Sequence, residues 1–258
     1  MNLENFSYHQ ELVIPPHTEG QTKHVLKDTH GRLLDLSVQI VRGVGGSMKL
    51  SVSAPYWLVN KSGLPLVFRQ AGIESGEVAA GQFDEHEVAR SVTPLLFSYS
   101  DEDARRLCRM RVGRKWKGEQ HKPRWSDKFS LEGGCGFSAV HVQCSDRRPD
   151  WVYYIGVEVR QGRGRYCDTN IVTFSPRYQL DNRSSRKLLF AQRHLATRGS
   201  EVYGRDHLSA LQNCTVSFHW PRVDLDQLLC VRIVDVPDSD WSGGFRIDQV
   251  DSFHINMR

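Results

Sequence analysis

The residue types that do chemistry are present in this chain, but not at the spacings catalysis needs. Glu85-His86-Glu87 lacks the second histidine, one helical turn on, that a zinc-protease helix requires. The eleven histidines show no HxH or HxxxH pair beside a carboxylate. Val44-Gly45-Gly46 and Gly162-Arg163-Gly164-Arg165 match neither a phosphate-cradling loop nor a dinucleotide fingerprint, and there is no Gly-x-Ser-x-Gly elbow. These glycines read as turns between strands. The chain is read as non-catalytic, with no cofactor and no metal site.

Two polar features remain. Asn60 and Asn182 each sit between strand-like segments, where an apolar or turn residue would be the ordinary choice. An asparagine amide that bonds its own backbone two residues on makes a tight turn, which Ser62 or Ser184 would close through its hydroxyl; the alternative is direct ligand contact. On either reading, Asn60 and Asn182 are expected to be needed for whatever the chain binds.

The second feature is the run from Arg105 to Lys128, in which basic residues far outnumber Glu119 and Asp127. Alternation predicts that Cys108, Met110 and Val112 point inward while Arg109 and Arg111 face outward, with Arg114, Lys115 and Lys117 extending the patch and Trp116 exposed among them. Such a patch suits an acidic peptide or anionic lipid heads; otherwise it is a solvated strand and loop. The corresponding later stretch, QLLCVRIVDVPDSDW, keeps only Arg232 and carries several aspartates.

The elements that carry these residues come twice. YWLVNKSGLPLVFRQ (Tyr56 to Gln70) returns as YQLDNRSSRKLLFAQ (Tyr178 to Gln192), with Tyr, Leu, Asn, Ser, Leu, Phe and Gln in matching places. LSVQIVRG (Leu36 to Gly43) parallels IGVEVRQG (Ile155 to Gly162), and LCRMRV (Leu107 to Val112) parallels LCVRIV (Leu229 to Val234). Trp125-Ser126 and Trp241-Ser242 open a further matched pair, which suggests a core role for both tryptophans. One feature departs: NRSSRK replaces NKSGLP, and losing Gly63 and Pro65 predicts a different turn geometry.

The apolar period is two, which predicts strands at Leu36 to Val41, Leu50 to Ala54, Trp151 to Arg160, Ile171 to Ser175, Val216 to Trp220, Leu229 to Val234 and Ser252 to Met257. Asp84 to Ser91 sustains no helical face and is expected to be loop. The fold class is therefore all-β, with two tandem antiparallel β-sandwich modules related by internal duplication. Residues 1–21 are an extended lead-in, 22–143 the first module and 151–258 the second, joined by the polar connector QCSDRRPD (Gln143 to Asp150).

The 258 residues suffice for two cores, and a net charge of +4 is not that of a nucleic-acid binder. No apolar run approaches a membrane span, and MNLENFSYHQ lacks the pattern of a secretory signal, which points to the cytosol. Six cysteines without a CxxC pair read as reduced and mostly buried. Four N-glycosylation triplets, at Asn5, Asn60, Asn182 and Asn213, carry little weight without that signal.

At PYWLVNKSGLPLVFRQ, AAGQFDEHEVARS, YQLDNRSSRKLLFAQR, HWPRVDLDQLLCVRIVD and WSGGF with SFHINM, the chain resembles the adaptor-binding region of the vacuolar protein sorting thirteen family, in detail its D-type branch. The resemblance runs from about Pro15 to Arg258. It implies part of a string of six all-β modules, each marked by an asparagine, in a bridge-like lipid transporter. It also implies recruitment to organelle membranes by proteins that carry Pro-x-Pro segments, a mitochondrial Rho-family GTPase among them. The implied location is cytoplasmic, peripheral at contacts of mitochondria, endoplasmic reticulum or peroxisomes, as a monomer that binds no nucleic acid. Strand addition to a sheet edge is the expected binding mode. The candidate edges are Leu36 to Val41, through Val38 and Ile40, and Tyr154 to Arg160, through Ile155, Val157 and Val159. The other readings are direct contact with anionic membrane through the basic strand, and a purely structural spacer.

Overall fold

The computed structural model describes residues 6, 13–15, 17–72, 78–82, 93–101, 104–113, 122–143, 149–196, 207–236, 238–249 and 251–256. They form an all-β fold. Strands β1 (Gly20–Lys27), β2 (Leu33–Arg42) and β3 (Met48–Ser53) make an antiparallel meander. After it come β4 (Tyr56–Asn60), β5 (Leu66–Gln70), β6 (Leu95–Phe97), β7 (Leu107–Val112), β8 (Lys122–Pro123) and β9 (Phe129–Ser130). A second meander follows, of β10 (Gly134–Gln143), β11 (Trp151–Gln161) and β12 (Asn170–Pro176). The last described strands are β13 (Tyr178–Asn182), β14 (Leu188–Gln192), β15 (Leu208–Ala210), β16 (Cys214–Phe218) and β17 (Leu229–Ile233).

The second meander does not stand alone. β12 lies parallel against β4, with Asn170 opposite Tyr56 and Phe174 opposite Asn60. This joins the elements into one six-stranded sheet, ordered β6-β4-β12-β11-β10-β8. The sheet packs on β5-β7-β9, and the core between them draws on both sides of the expected module boundary. Leu58, Leu66, Phe68, Met110 and Val112 meet Val140, Ile155, Val172 and Phe174, and the rings of Phe68 and Phe174 lie 4.6 Å apart. A smaller core follows, in which Phe190, Phe218, Trp220, Leu229 and Val231 pack between β13-β16 and β15-β14-β17.

Three expectations change here. The connector at Gln143 to Asp150 does not link separate sandwiches, because Val142 pairs with Trp151 across it and β10 and β11 form one hairpin. Residues 151–176, assigned from sequence to a second module, complete the first core instead. The pairing is not wholly antiparallel, since β12 on β4 is parallel. Of the predicted strands, Ser252 to Met257 has no counterpart among its described residues. The predicted loop at Asp84 to Ser91 lies outside the described residues.

Candidate functional site

The repeated polar residues build local clamps. Asn60 is buried; its Oδ1 accepts from the Ser62 amide at 3.1 Å and the Ser62 hydroxyl at 2.7 Å, and its Nδ2 donates to the Leu64 carbonyl at 2.7 Å. Asn182 does the same with Ser184 at 3.0 and 2.7 Å and with the Arg186 carbonyl at 2.8 Å, and also reaches the carbonyls of Ala210 and Leu211. The Asn60 side chain is spent on the turn it sits in, while that of Asn182 also ties its turn to the end of β15. The loss of Gly63 has a local effect only: Gly63 takes φ 77°, a left-handed value that Ser185 does not adopt, yet both turns close through the same hydrogen bonds.

Two further clamps recur whose role the sequence did not reveal, although their residues were matched. Gln70 exchanges hydrogen bonds with the backbone of Asp101, and Gln192 with that of Arg222. The Ser126 hydroxyl accepts from the Met110 amide at 3.1 Å, as that of Ser242 does from Val231 at 3.0 Å. Each of these polar side chains satisfies backbone groups that the strand ladders leave unpaired.

The Asn60 turn is also a joint. Lys61 donates its amide to the Phe174 carbonyl of β12 at 2.8 Å, and the Ser217 hydroxyl of β16 donates to the Lys61 carbonyl at 3.3 Å. A Cβ on Gly63 would come within 2.9 Å of Ser217 Cβ. His219, beyond β16, lies 2.8 Å through Nε2 from the Ser62 carbonyl, with its ring edge-on to Tyr153. Burial pushes the His219 imidazole below its ordinary value of 6.5, while the Ser62 carbonyl pulls weakly the other way, so the neutral ring donates across the joint.

The sequence-predicted strand-addition edges are not edges. β2 is paired to both β1 and β3, and β11 to both β10 and β12, so Val38, Ile40, Ile155, Val157 and Val159 lie on interior strands. All but Val159 are fully buried. The outer strands of the first meander are β1 and β3, each paired with β2 alone, and β3 is the one that carries an exposed apolar stripe. Along it Met48, Leu50 and Val52 alternate on one face and are 50%, 41% and 46% exposed. In the second meander Val172 and Phe174 of β12 are fully buried in the core, and the outer side of β12 is paired with β4.

The basic strand is more enclosed than alternation implied. Arg111 is buried, donates to the Val112 carbonyl at 3.0 Å and stacks 4.8 Å from the centre of the Trp125 ring. Arg69, on the neighbouring β5, stacks on the same indole at 4.3 Å. Trp125 therefore covers the outer face of β5 and β7 rather than joining the core. Arg114, Lys115, Trp116 and Lys117 lie outside the described residues.

Among the described residues no group of three or more His, Cys, Asp or Glu is placed to hold a metal ion. A cleft of about 420 Å³ between β1-β2 and the start of β4 has a rim where Lys23 and Asp35 already pair at 2.8 Å. Cys108, Cys135, Cys167, Cys214 and Cys230 are free thiols. Cys108 and Cys230 are buried as expected, and burial pushes the Cys108 thiol up to about 12, whereas Cys135 and Cys167 are exposed.

Two outcomes follow for the turn and its joint. Asn60→Ser removes the amide that donates to the Leu64 carbonyl and the Oδ1 that accepts from the Ser62 amide and hydroxyl inside a closed turn, and urea unfolding should show a loss of about 1–3 kcal/mol. For His219, the folded chain takes up a proton less readily than the unfolded chain does. Its contribution to stability is complete above about 6.5 and is lost as the pH falls through and below that value. Melting temperature should therefore fall between pH 7.5 and 5, and the fall should be smaller in His219→Gln; equal slopes would remove His219 as the cause.

The family model for the vacuolar-sorting associated protein 13 adaptor binding domain matches residues 1–258. Among similar proteins, intermembrane lipid transfer protein VPS13D of Homo sapiens is 50% identical over 259 residues, and its Drosophila melanogaster counterpart 38% identical over 265. Both alignments cover 100% of the chain. VPS13 of Chaetomium thermophilum is 27% identical over 90% of the chain. The chain spans only 6–7% of the length of these relatives. It is a binding module without catalytic function, and it belongs to the vacuolar-sorting associated protein 13 adaptor binding domain family.

Proposed function

We propose that this chain recruits a lipid transfer protein to organelle membranes by taking a short proline-containing adaptor segment as an added strand on the free edge of β3. The observation that carries the reading is the contrast between the two meanders. β12 is covered by a parallel neighbour and buries its alternating apolar residues, while β3 is open and leaves Met48, Leu50 and Val52 exposed. An open edge with an apolar stripe offers main-chain hydrogen bonds for affinity and alternate side-chain contacts for specificity.

A Pro-x-Pro segment fits such an edge. Backbone N–H groups of a strand point to alternate sides, so prolines two apart lose donors on the same side. With that side turned away from β3, the intervening residue keeps its pairing, and both rings fall on one face. The lipid-transfer names of the relatives support a role at contacts between membranes. The target is read as mitochondria, through a Rho-family GTPase or a similar receptor, with endoplasmic reticulum and peroxisomes as further sites.

The chain is further read as two copies of one unit, on the strength of the matching asparagine turns, glutamine clamps and Trp-Ser pairs. In this reading each unit is completed by the meander that follows it. Asn60 then serves binding indirectly, by holding the turn at which β12 of the second meander docks, and Asn182 is read as its counterpart in the second copy.

Titration with a fluorescent Pro-x-Pro peptide tests the site. Wild type should bind it far better than a peptide with both prolines changed to alanine, at 50 and 300 mM salt alike. Leu50→Arg, at an exposed position, should keep the melting temperature and weaken binding about tenfold or more. Unchanged binding by Leu50→Arg would remove β3 as the edge.

A further inference from the structure

Arg69 of β5 and Arg109 of β7 are directly opposite each other in the strand register, so two guanidinium stems leave the same face of the sheet side by side. Like charges at that position destabilise a strand pair. Neither residue forms an ion pair with a carboxylate among the described residues, and both are half-buried. The Nε of each is buried without a hydrogen-bond acceptor. Arg69 holds its proton less firmly than an ordinary arginine, first because of burial and then because Arg109 and Arg111 stand near it, the behaviour of a cation lacking a counter-charge. The stack of Arg69 on Trp125 fixes its plane. Arg111, which stacks on the same indole and donates to the Val112 carbonyl, closes the flank.

We infer that Arg69 and Arg109 form a binding site for a phosphate monoester carried on a lipid headgroup. The pair supplies what such a group needs: two donor forks on adjacent strands, a charge of +2 to meet a dianion, and acceptor-free Nε–H groups already removed from water. Trp125 adds an aromatic surface of the kind that sits at a membrane interface, which favours a headgroup over a soluble phosphopeptide. This site differs from the basic patch read from sequence. It includes Arg69, which lies outside that segment, and it does not depend on the residues from Arg114 to Lys117. It is also independent of the β3 edge, since β5 and β7 belong to another sheet.

The test uses the whole chain and vesicles of phosphatidylcholine with 5% phosphatidylinositol 4,5-bisphosphate, beside vesicles matched in charge with phosphatidylserine. Wild type should prefer the phosphoinositide vesicles, soluble inositol 1,4,5-trisphosphate should compete, and Arg69→Gln/Arg109→Gln should bind about tenfold less. That variant should melt at the same temperature as wild type or higher, because it removes a like-charge contact; a merely structural stack on Trp125 would lower it. Equal binding to the phosphatidylserine vesicles, unchanged binding by the variant, or binding of a phosphoserine peptide in place of the vesicles would each overturn the assignment.

Discussion

The parallel pairing of β12 with β4 is the contact on which the rest of the molecule depends. It converts a meander that would otherwise expose one face into the middle of a six-stranded sheet, and it brings Val172 and Phe174 into the core built by β4, β5 and β7. Parallel pairs form only through long-range contacts, so the gain that offsets their loop-closure cost must come from burial. Phe174, fully buried against Phe68 and Phe129, supplies much of it. The same strand holds the Asn60 turn through the Phe174 carbonyl, and that turn in turn receives β16. Sheet, turn and joint are thus one chain of contacts.

Much of this was legible from the residues. Period-two alternation placed β2, β3, β11, β12, β16 and β17; in β2, β11 and β12 it follows a buried face, whereas the apolar stripe of β3 is exposed. The matched polar residues, Asn60 with Asn182 and Ser62 with Ser184, form the turn that an asparagine followed by a serine two residues on would form. Gln70 and Gln192, and Ser126 and Ser242, were visible as matches but not as clamps, since a side chain that serves distant backbone leaves no local signature.

What the residues did not disclose is which strand lies beside which. Alternation reports the face of a strand and is silent about its neighbours, so β2 and β11 resembled edges while being interior. The same limit applies to Arg111. Its outward direction was read correctly, but Trp125 arrives from fourteen positions later in the chain and covers it. The division at Gln143 to Asp150 failed for a related reason: a polar stretch marks a loop, and a hairpin loop within a sheet has the same composition as a linker between domains.

A comparison of two fragments by circular dichroism and thermal unfolding would test the shared sheet most directly. One would end at Asp150 and the other at Arg177. The first lacks β11 and β12 and leaves Leu58, Phe68 and Met110 without their covering strands; the second retains the full core. Cooperative unfolding of the longer fragment alone is the result this structure requires. Cooperative unfolding of the fragment that ends at Asp150 would contradict it.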